Sequence, residues 1–151
     1  MRIGLVIRAV ALTVVLAARL AGAAPVPAAI IAPANPSRLL DLASRALQKY
    51  WYLAPGRMLP IGTQAGLPCF ALGSPDQNPA IARLVAAGKL RWDPSALGDQ
   101  GYVLKTVDDG GRRLTIAAGA TGVGTLYAVY DLMGRYGFGF YLGGDALPPR
   151  G

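Results

Sequence analysis

The longest helical pattern in the chain follows Ser37. In the stretch "RLLDLASRALQKYWYL", apolar residues recur every three or four positions from Leu39 to Tyr50, and basic residues fall on the opposite face. Ser37 is a preferred helix N-cap, and Pro55-Gly56 closes the segment. The pattern predicts an amphipathic helix with one buried face.

Short apolar runs between turn residues predict strands around this helix. Residues 29–32 indicate a brief strand, "RMLPIG" a strand or a loop, and "GLPCFALG" a better strand. Asn78 can cap the next helix, "AIARLVAAG", with Pro79 at its first position and Gly88 at its end. The following "KLRWDPSALGDQ" is predicted to be an irregular surface segment.

The clearest local signal is "GYVLKTVDDGGRRLTIAAG". Two apolar, β-branched runs flank Asp108-Asp109-Gly110-Gly111, which predicts a hairpin whose glycines supply positive φ. A helix over residues 121–135 should follow, ending at a glycine, and "FGFYLGGDALPPRG" suggests a last strand and a Gly/Pro-rich tail. We expect one apolar face of this helix to carry Val123, Leu126, Tyr127, Tyr130 and Met133.

The order helix, strand, helix, strand, strand, helix, with a possible final strand, predicts the fold class. It favours an α/β (α+β) sandwich, in which a small mixed sheet carries helices packed mainly on one face. The chain has 151 residues and is 53% hydrophobic, so it can form one domain with a buried core.

The first residues are typical of a secretory signal peptide. Arg2 and Arg8 precede an apolar run, and an A-x-A cleavage site stands at Ala21–Ala23. Arg19 interrupts the run, so no stable membrane span is expected, although a retained anchor helix is the alternative. We therefore predict a signal peptide over 1–23, a Pro/Ala-rich linker over 24–36, and a secreted or periplasmic protein.

Two residue types are missing, and their absence restricts the chemistry. The chain has no His, and all eight acidic residues are Asp. A Ser-His-Asp or Cys-His catalytic site is therefore excluded, as is a zinc site built on His. Cys69 stands alone in the apolar "LPCFAL" and is interpreted as a core residue. No catalytic, cofactor-binding or metal-binding residue is predicted, and no cofactor.

The formal charge of +7 does not predict nucleic-acid binding. Removal of residues 1–23 takes away three arginines, and the 12 basic and 8 acidic residues that remain give +4. These basic residues are scattered, whereas a nucleic-acid site concentrates them on one face. No nucleic-acid partner is expected.

The stretch "GATGVGTLYAVYDL" raises the possibility of a phosphate loop. Gly119 and Gly124 have the Walker separation, but Thr125 follows Gly124 directly and the lysine is missing. A dinucleotide fingerprint, G-x-G-x-x-G, does not fit either. The glycine order here is G-x-x-G-x-G, so the first tight turn would fall on Thr121. We interpret the glycines as permitting close contact between a helix and the sheet.

Two other groups of residues allow a functional and a structural interpretation. Trp51, with Tyr50 and Tyr52, could stack on sugar rings, but helical core packing is favoured. Asp108 and Asp109 could be a carboxylate pair, but Asp-Asp-Gly-Gly is what a turn prefers.

The C-terminal half of the chain resembles the N-terminal accessory domain of certain glycoside hydrolases. These are the α-glucuronidases, the β-N-acetylhexosaminidases and the α-N-acetylglucosaminidases. The resemblance is carried by the segment "GYVLKTV…GRRLTIAAGATGVGTLYAVYDLMGRYGFGFYLGGDALP". The resemblance is good over about 101–149 and looser over 37–79, and its pattern is moderately specific. The matching positions are Gly119, Gly124, Thr125, Leu126, Tyr127, Tyr130, Asp131, Gly137, Tyr141, Gly144 and Asp145.

The resemblance implies a non-catalytic domain over 37–149 in a secreted, carbohydrate-degrading enzyme, most like an α-glucuronidase. In that family the catalytic carboxylates belong to a (β/α)8 barrel, against which this domain would pack through its apolar helix face. The barrel would begin where this chain stops, so no catalytic residue transfers to it, and the resemblance implies that the chain is a fragment. The alternatives are a free-standing carbohydrate-binding module using Trp51 or Trp92, and a nucleotide-binding enzyme using residues 119–125.

Overall fold

A computed structural model describes residues 26–64 and 68–148, so the predicted signal peptide lies outside the described residues. Within residues 26–64 and 68–148, no helix is both long enough and apolar enough to cross a bilayer. The elements in chain order are β1 (Ala29–Ile31), α1 (Arg38–Leu53), β2 (Ile61–Gly62), β3 (Cys69–Leu72), α2 (Pro79–Ala86), α3 (Pro94–Leu97), β4 (Tyr102–Asp108), β5 (Arg113–Gly119), α4 (Gly122–Arg135), β6 (Gly139–Tyr141) and β7 (Gly144–Ala146).

Five strands form a mixed sheet in the order β2-β1-β3-β5-β4. The first four are parallel, and β4 pairs antiparallel with β5 through the predicted hairpin. β6 and β7 form a separate antiparallel ribbon. The predicted class, an α/β sandwich with a small mixed sheet, is confirmed.

The strand β1 lies inside the segment predicted to be a linker. All three of its residues are buried, and it pairs with β2 on one side and β3 on the other. The folded domain therefore starts no later than Ala29, and the boundary predicted at residue 37 is too late. A three-residue apolar strand between prolines has too little pattern to reveal its inner position.

The two longest helices, α1 and α4, cover one face of the sheet, which we call face 1. Alternate sheet residues Ile30, Phe70 and Leu72 point to this side and pack against the helices. From α1 the core takes Ala43, Leu47, Tyr50 and Trp51, and from α4 it takes Ala128, Val129, Leu132 and Met133.

The other sheet face, face 2, is covered by the eight-residue α2. Ile81 and Leu84 of this helix pack on Ile31, Cys69 and other sheet residues of the opposite alternation. Cys69 is buried, as predicted, and burial raises the pKa of its thiol. It is a core residue and not an activated nucleophile.

The helix N-termini begin where the sequence predicts. The side chains of Ser37, Asn78 and Thr121 accept hydrogen bonds from backbone N–H groups in the first turns of α1, α2 and α4. The segment 89–100 differs from its prediction, because Leu90 is buried and Asp93 caps the short helix α3. It closes the end of face 2 and is not wholly a surface segment.

The buried face of α4 also differs from the prediction. Tyr127 is 45% exposed, and Val123, Leu126 and Tyr130 are only partly buried, whereas Met133 is buried as expected. Small residues take the inner positions in the first half of α4, because the helix lies against the Gly119 and Gly101 backbone there. The buried residues are Gly124, Thr125, Ala128, Val129, Leu132 and Met133.

Candidate functional site

The glycine turn before α4 is a close contact between backbones. A side chain on Gly119 would overlap the backbone nitrogen of Thr125, and one on Gly124 would overlap the carbonyl oxygen of Gly101. Gly101 is confined in turn, because a side chain there would overlap the carbonyl of Leu97. Strand, helix and the α3–β4 loop thus meet at three glycines, as the structural interpretation of the turn predicts.

The polar groups of this turn bond to each other. Thr121 Oγ1 accepts from Gly124 N at 3.2 Å and donates to the Asp99 carbonyl. The buried Thr125 Oγ1 accepts from Gly119 N at 3.1 Å and donates to the Thr121 carbonyl at 3.1 Å. These bonds occupy the Gly119 and Gly124 amides, and together with the close backbone contacts they support the packing interpretation of the turn.

The predicted aromatic platform is mostly core. Trp51 is 6% exposed, and its ring meets those of Phe70 and Tyr136 edge to face at centroid distances of 5.1 Å each. Tyr50 is also buried, so only Tyr52 of the three is open to solvent. A sugar ring needs an exposed aromatic face, and the core interpretation of Trp51 is therefore correct.

An aromatic cluster joins the β6–β7 ribbon to the helices of face 1. The Tyr50 ring packs edge to face on Phe138 and Phe140, and Phe140 packs on Tyr130 at 4.8 Å. The Tyr50 hydroxyl donates to Asp145 Oδ2 at 2.6 Å. Desolvation, and secondly the Asp145 carboxylate, raise the pKa of Tyr50 well above its ordinary value.

The solvent side of α1, α4 and this ribbon is rich in exposed apolar side chains, and we call it the helix-layer surface. Leu42 and Tyr127 are about half exposed, Tyr141 is 70% exposed, and Leu142 at the tip of the ribbon is fully exposed. Leu39 borders both helices, since it lies against Gly122 of α4. Charged side chains on the helix-layer surface form ion pairs, as in Arg45–Asp41 at 2.8 Å and Arg135–Asp131 at 3.1 Å.

The two aspartates of the hairpin turn have different roles. Asp108 accepts a hydrogen bond from Gly111 N at 2.8 Å, which is the predicted turn role. Asp109 instead contacts three cations: Lys89 at 2.8 Å, Arg83 at 3.1 Å and Arg112 at 3.7 Å. The hydrogen bond from Lys89 is the largest influence that lowers the pKa of Asp109. Asp109 therefore ties the hairpin to α2.

The two carboxylates with a perturbed pKa do not have the surroundings of a glycosidase general acid, which needs a raised pKa. The pKa values of Asp109 and Asp131 are both lowered, chiefly by hydrogen bonds from Lys89 and Arg135. Within 26–64 and 68–148, no three potential metal ligands (His, Cys, Asp or Glu) come together.

A groove of about 590 Å³ runs beside α2 on face 2. Its walls include Ile31, Thr63 and Gln77 at one end, and Arg83 and Arg112 at the other. Sequence reasoning missed this site, because its residues come from four separate segments. The only local signal was the adjacent pair Arg112-Arg113.

A scan against protein-family models finds no match to this chain, and a search of curated proteins finds none either.

Proposed function

We propose that this chain is the non-catalytic N-terminal domain of a secreted, carbohydrate-degrading glycoside hydrolase of the α-glucuronidase kind. The domain packs against a catalytic barrel and stabilises it. The resemblance over residues 101–149 supplies the family, and the fold supplies a surface suited to the contact. The signal peptide predicted over 1–23 supports a secreted or periplasmic location.

The observation that carries the proposal is the helix-layer surface. Tyr127, Tyr141 and Leu142 expose large apolar side chains on one side of the domain, and aromatic residues are enriched in protein contacts. The inner faces of α1 and α4 are already buried against the sheet. Docking therefore uses the outer side of these helices and the β6–β7 ribbon, and not the amphipathic helix face that the sequence suggested.

The chemistry of the described carboxylates agrees with a non-catalytic role. A glycosidase holds two carboxylic groups about 5–10 Å apart around the scissile bond, one of them with a raised pKa. Asp41, Asp109 and Asp131 each lie beside basic side chains, and Asp145 accepts from Tyr50. These four carboxylates are engaged by neighbouring side chains of the domain, which supports hydrolytic groups that belong to the barrel.

The size of the native polypeptide tests this proposal. An antibody raised against residues 102–148 is used to blot the extracytoplasmic fraction of the source cells. We expect a band several times larger than the 15.7 kDa of this chain. A band at or below 15.7 kDa would contradict the attachment to a barrel and would favour a free-standing module.

An activity assay separates the domain from the enzyme. The purified 151-residue chain should hydrolyse aryl glycosides no faster than a blank, whereas the native polypeptide should hydrolyse them. Turnover by the chain alone would show that its own carboxylates are catalytic.

A further inference from the structure

The groove beside α2, which we call the α2 groove, lies where the strand order of the sheet reverses. From β1 the chain passes through α1 to β2 on one side, and then to β3 on the other side. The segments that follow β1 and β3 run to opposite faces of the sheet, α1 to face 1 and α2 to face 2, and such a point is where open α/β sheets form their ligand crevices. Ala32, Thr63 and Gln77 follow the ends of β1, β2 and β3, and all three line the groove.

A buried side chain fixes the shape of this end. Asn78 is fully buried, and its Nδ2 donates to the carbonyls of Ile31 at 3.2 Å and Leu72 at 2.9 Å. Its Oδ1 accepts from Ala80 N at 3.0 Å and caps α2. The ends of two strands and the start of α2 are thereby held together, so the groove has a preformed wall.

The other end of the α2 groove is positively charged. Three cations, Arg83, Lys89 and Arg112, surround the single carboxylate of Asp109. Of these, Arg83 and Arg112 line the groove, with side chains 57% and 52% exposed.

Asp109 orients the two arginines without exhausting their hydrogen-bonding capacity. Within the described residues, Arg83 donates one side-chain hydrogen bond, from NH2 to Asp109, and Arg112 donates one, from Nε to the Asp109 carbonyl. Each guanidinium has five N–H donors. Donors therefore remain for an oxyanion, and a planar guanidinium can bind one in bidentate fashion.

The remaining walls suit a small organic molecule. Ile31, Pro79, Ala80 and Leu114 provide an apolar floor between the amide and hydroxyl groups at one end and the arginines at the other. A volume of about 590 Å³ lies within the usual range of small-molecule sites. Because only one end of the groove is positively charged, a ligand with one anionic group binds in a single orientation.

We infer that the α2 groove binds a small organic anion, with its carboxylate, sulfate or phosphate group at Arg83 and Arg112 and its apolar body on Ile31 and Leu114. This inference is independent of the proposed function, because the groove lies on face 2 and the helix-layer surface lies over face 1. A domain docked on a barrel would leave the groove open.

Nuclear magnetic resonance titrations of the full 151-residue chain test the inference at low ionic strength. The probes are hexanoate, hexyl sulfate and hexyl phosphate, with hexanol as the neutral control and inorganic sulfate as the head group alone. We expect the three hexyl anions to saturate and to shift the amide signals of Thr63, Gln77 and Arg83. Hexanol and inorganic sulfate should each bind at least about tenfold more weakly than these anions. The anion that binds most tightly of the three identifies the preferred head group.

Matched arginine variants locate the site. Arg83→Gln and Arg112→Gln should each weaken hexyl-anion binding about tenfold, the effect of losing one charge-assisted contact. Arg113→Gln removes the same charge one residue away but outside the groove, and it should leave the affinity nearly unchanged. An equal loss in Arg113→Gln, no shift at groove residues, or equal affinity for inorganic sulfate and hexyl sulfate would overturn the inference.

Discussion

The two faces of the sheet are built differently. Face 1 carries two long helices, an aromatic cluster and an apolar solvent side, and each helix has one ion pair between residues four apart. Face 2 carries a short helix and a loop, an excess of basic residues, and an open groove. One sheet thus supports a closed layer suited to a protein contact and an incomplete layer suited to a small ligand.

Helix length explains much of this difference. At about 1.5 Å per residue, α1 and α4 extend roughly 24 and 21 Å, whereas the eight residues of α2 extend roughly 12 Å. Two long helices pack on face 1, whereas face 2 carries the short α2, and the α2 groove lies beside it.

The largest expected effect concerns the close approach of α4 on face 1. In Gly124→Ala the new methyl group would overlap the Gly101 carbonyl, so the helix must move away from the sheet. We expect the free energy of unfolding to fall by about 3 kcal/mol in urea denaturation. Gly134→Ala is the matched control, because that site is open, and it should stabilise the fold by about 0.5–1 kcal/mol. Equal effects in the two variants would refute the close contact.

A somewhat smaller effect is expected where face 2 meets the strand ends. Asn78→Ala leaves two buried carbonyls without their donor and removes the cap of α2, and it should destabilise the fold by about 2 kcal/mol. Asn78→Asp keeps the cap acceptor but cannot donate to the carbonyls. If denaturation shows Asn78→Asp to be as stable as the wild type, the cap alone matters and the wall of the groove is not fixed as described.

A third prediction tests the attachment of the ribbon to face 1. Tyr50→Phe keeps the aromatic packing but removes the hydroxyl that bonds Asp145, and it should cost about 1 kcal/mol. Hydrogen exchange should also become faster in β6 and β7. Tyr52→Phe changes an exposed ring and should leave both measurements unchanged. Unaltered exchange in Tyr50→Phe would mean that the aromatic contacts alone hold the ribbon.

The smallest effect concerns the ion pairs of face 2 and depends on pH. Because the pKa of Asp109 is lowered in the folded state, its stabilisation is complete above the unfolded value of about 3.9 and is lost as pH falls through the folded value. The stability difference between the wild type and Asp109→Asn should therefore be constant near neutral pH and shrink below about pH 4. Urea denaturation of both proteins at several pH values measures this stability difference. If the difference does not change with pH, the charge of Asp109 is not its cause.

Local features of the sequence predicted local structure well. The caps Ser37 and Asn78 and the hairpin at 108–111 were all recognisable, since each depends on a few neighbouring residues. The buried side of α4 was not, because the apolar periodicity pointed to its large residues. Helix–sheet contact through Gly124 and Thr125 puts small residues inside, and no periodicity rule detects that preference.

The candidate sites were least predictable, since they join distant parts of the chain. Asp109 pairs with Lys89 and Arg83, which are 20 and 26 residues away, and the bond from Tyr50 to Asp145 spans 95 residues. The α2 groove depends on the strand order, which is decided by the tertiary fold. A sequence motif could have shown none of these contacts.

The most direct test of the proposed docking is whether the helix-layer surface is covered in the native polypeptide. Leu142→Cys and Met58→Cys place single thiols at two exposed apolar positions, one on that surface and one outside it, while the buried Cys69 stays inert. Maleimide should label both thiols quickly in the isolated chain. In the native polypeptide, the account predicts at least tenfold slower labelling of Leu142→Cys alone, since a covered thiol reacts only when the contact opens. Equal labelling of the two variants in the native polypeptide would contradict docking through this surface.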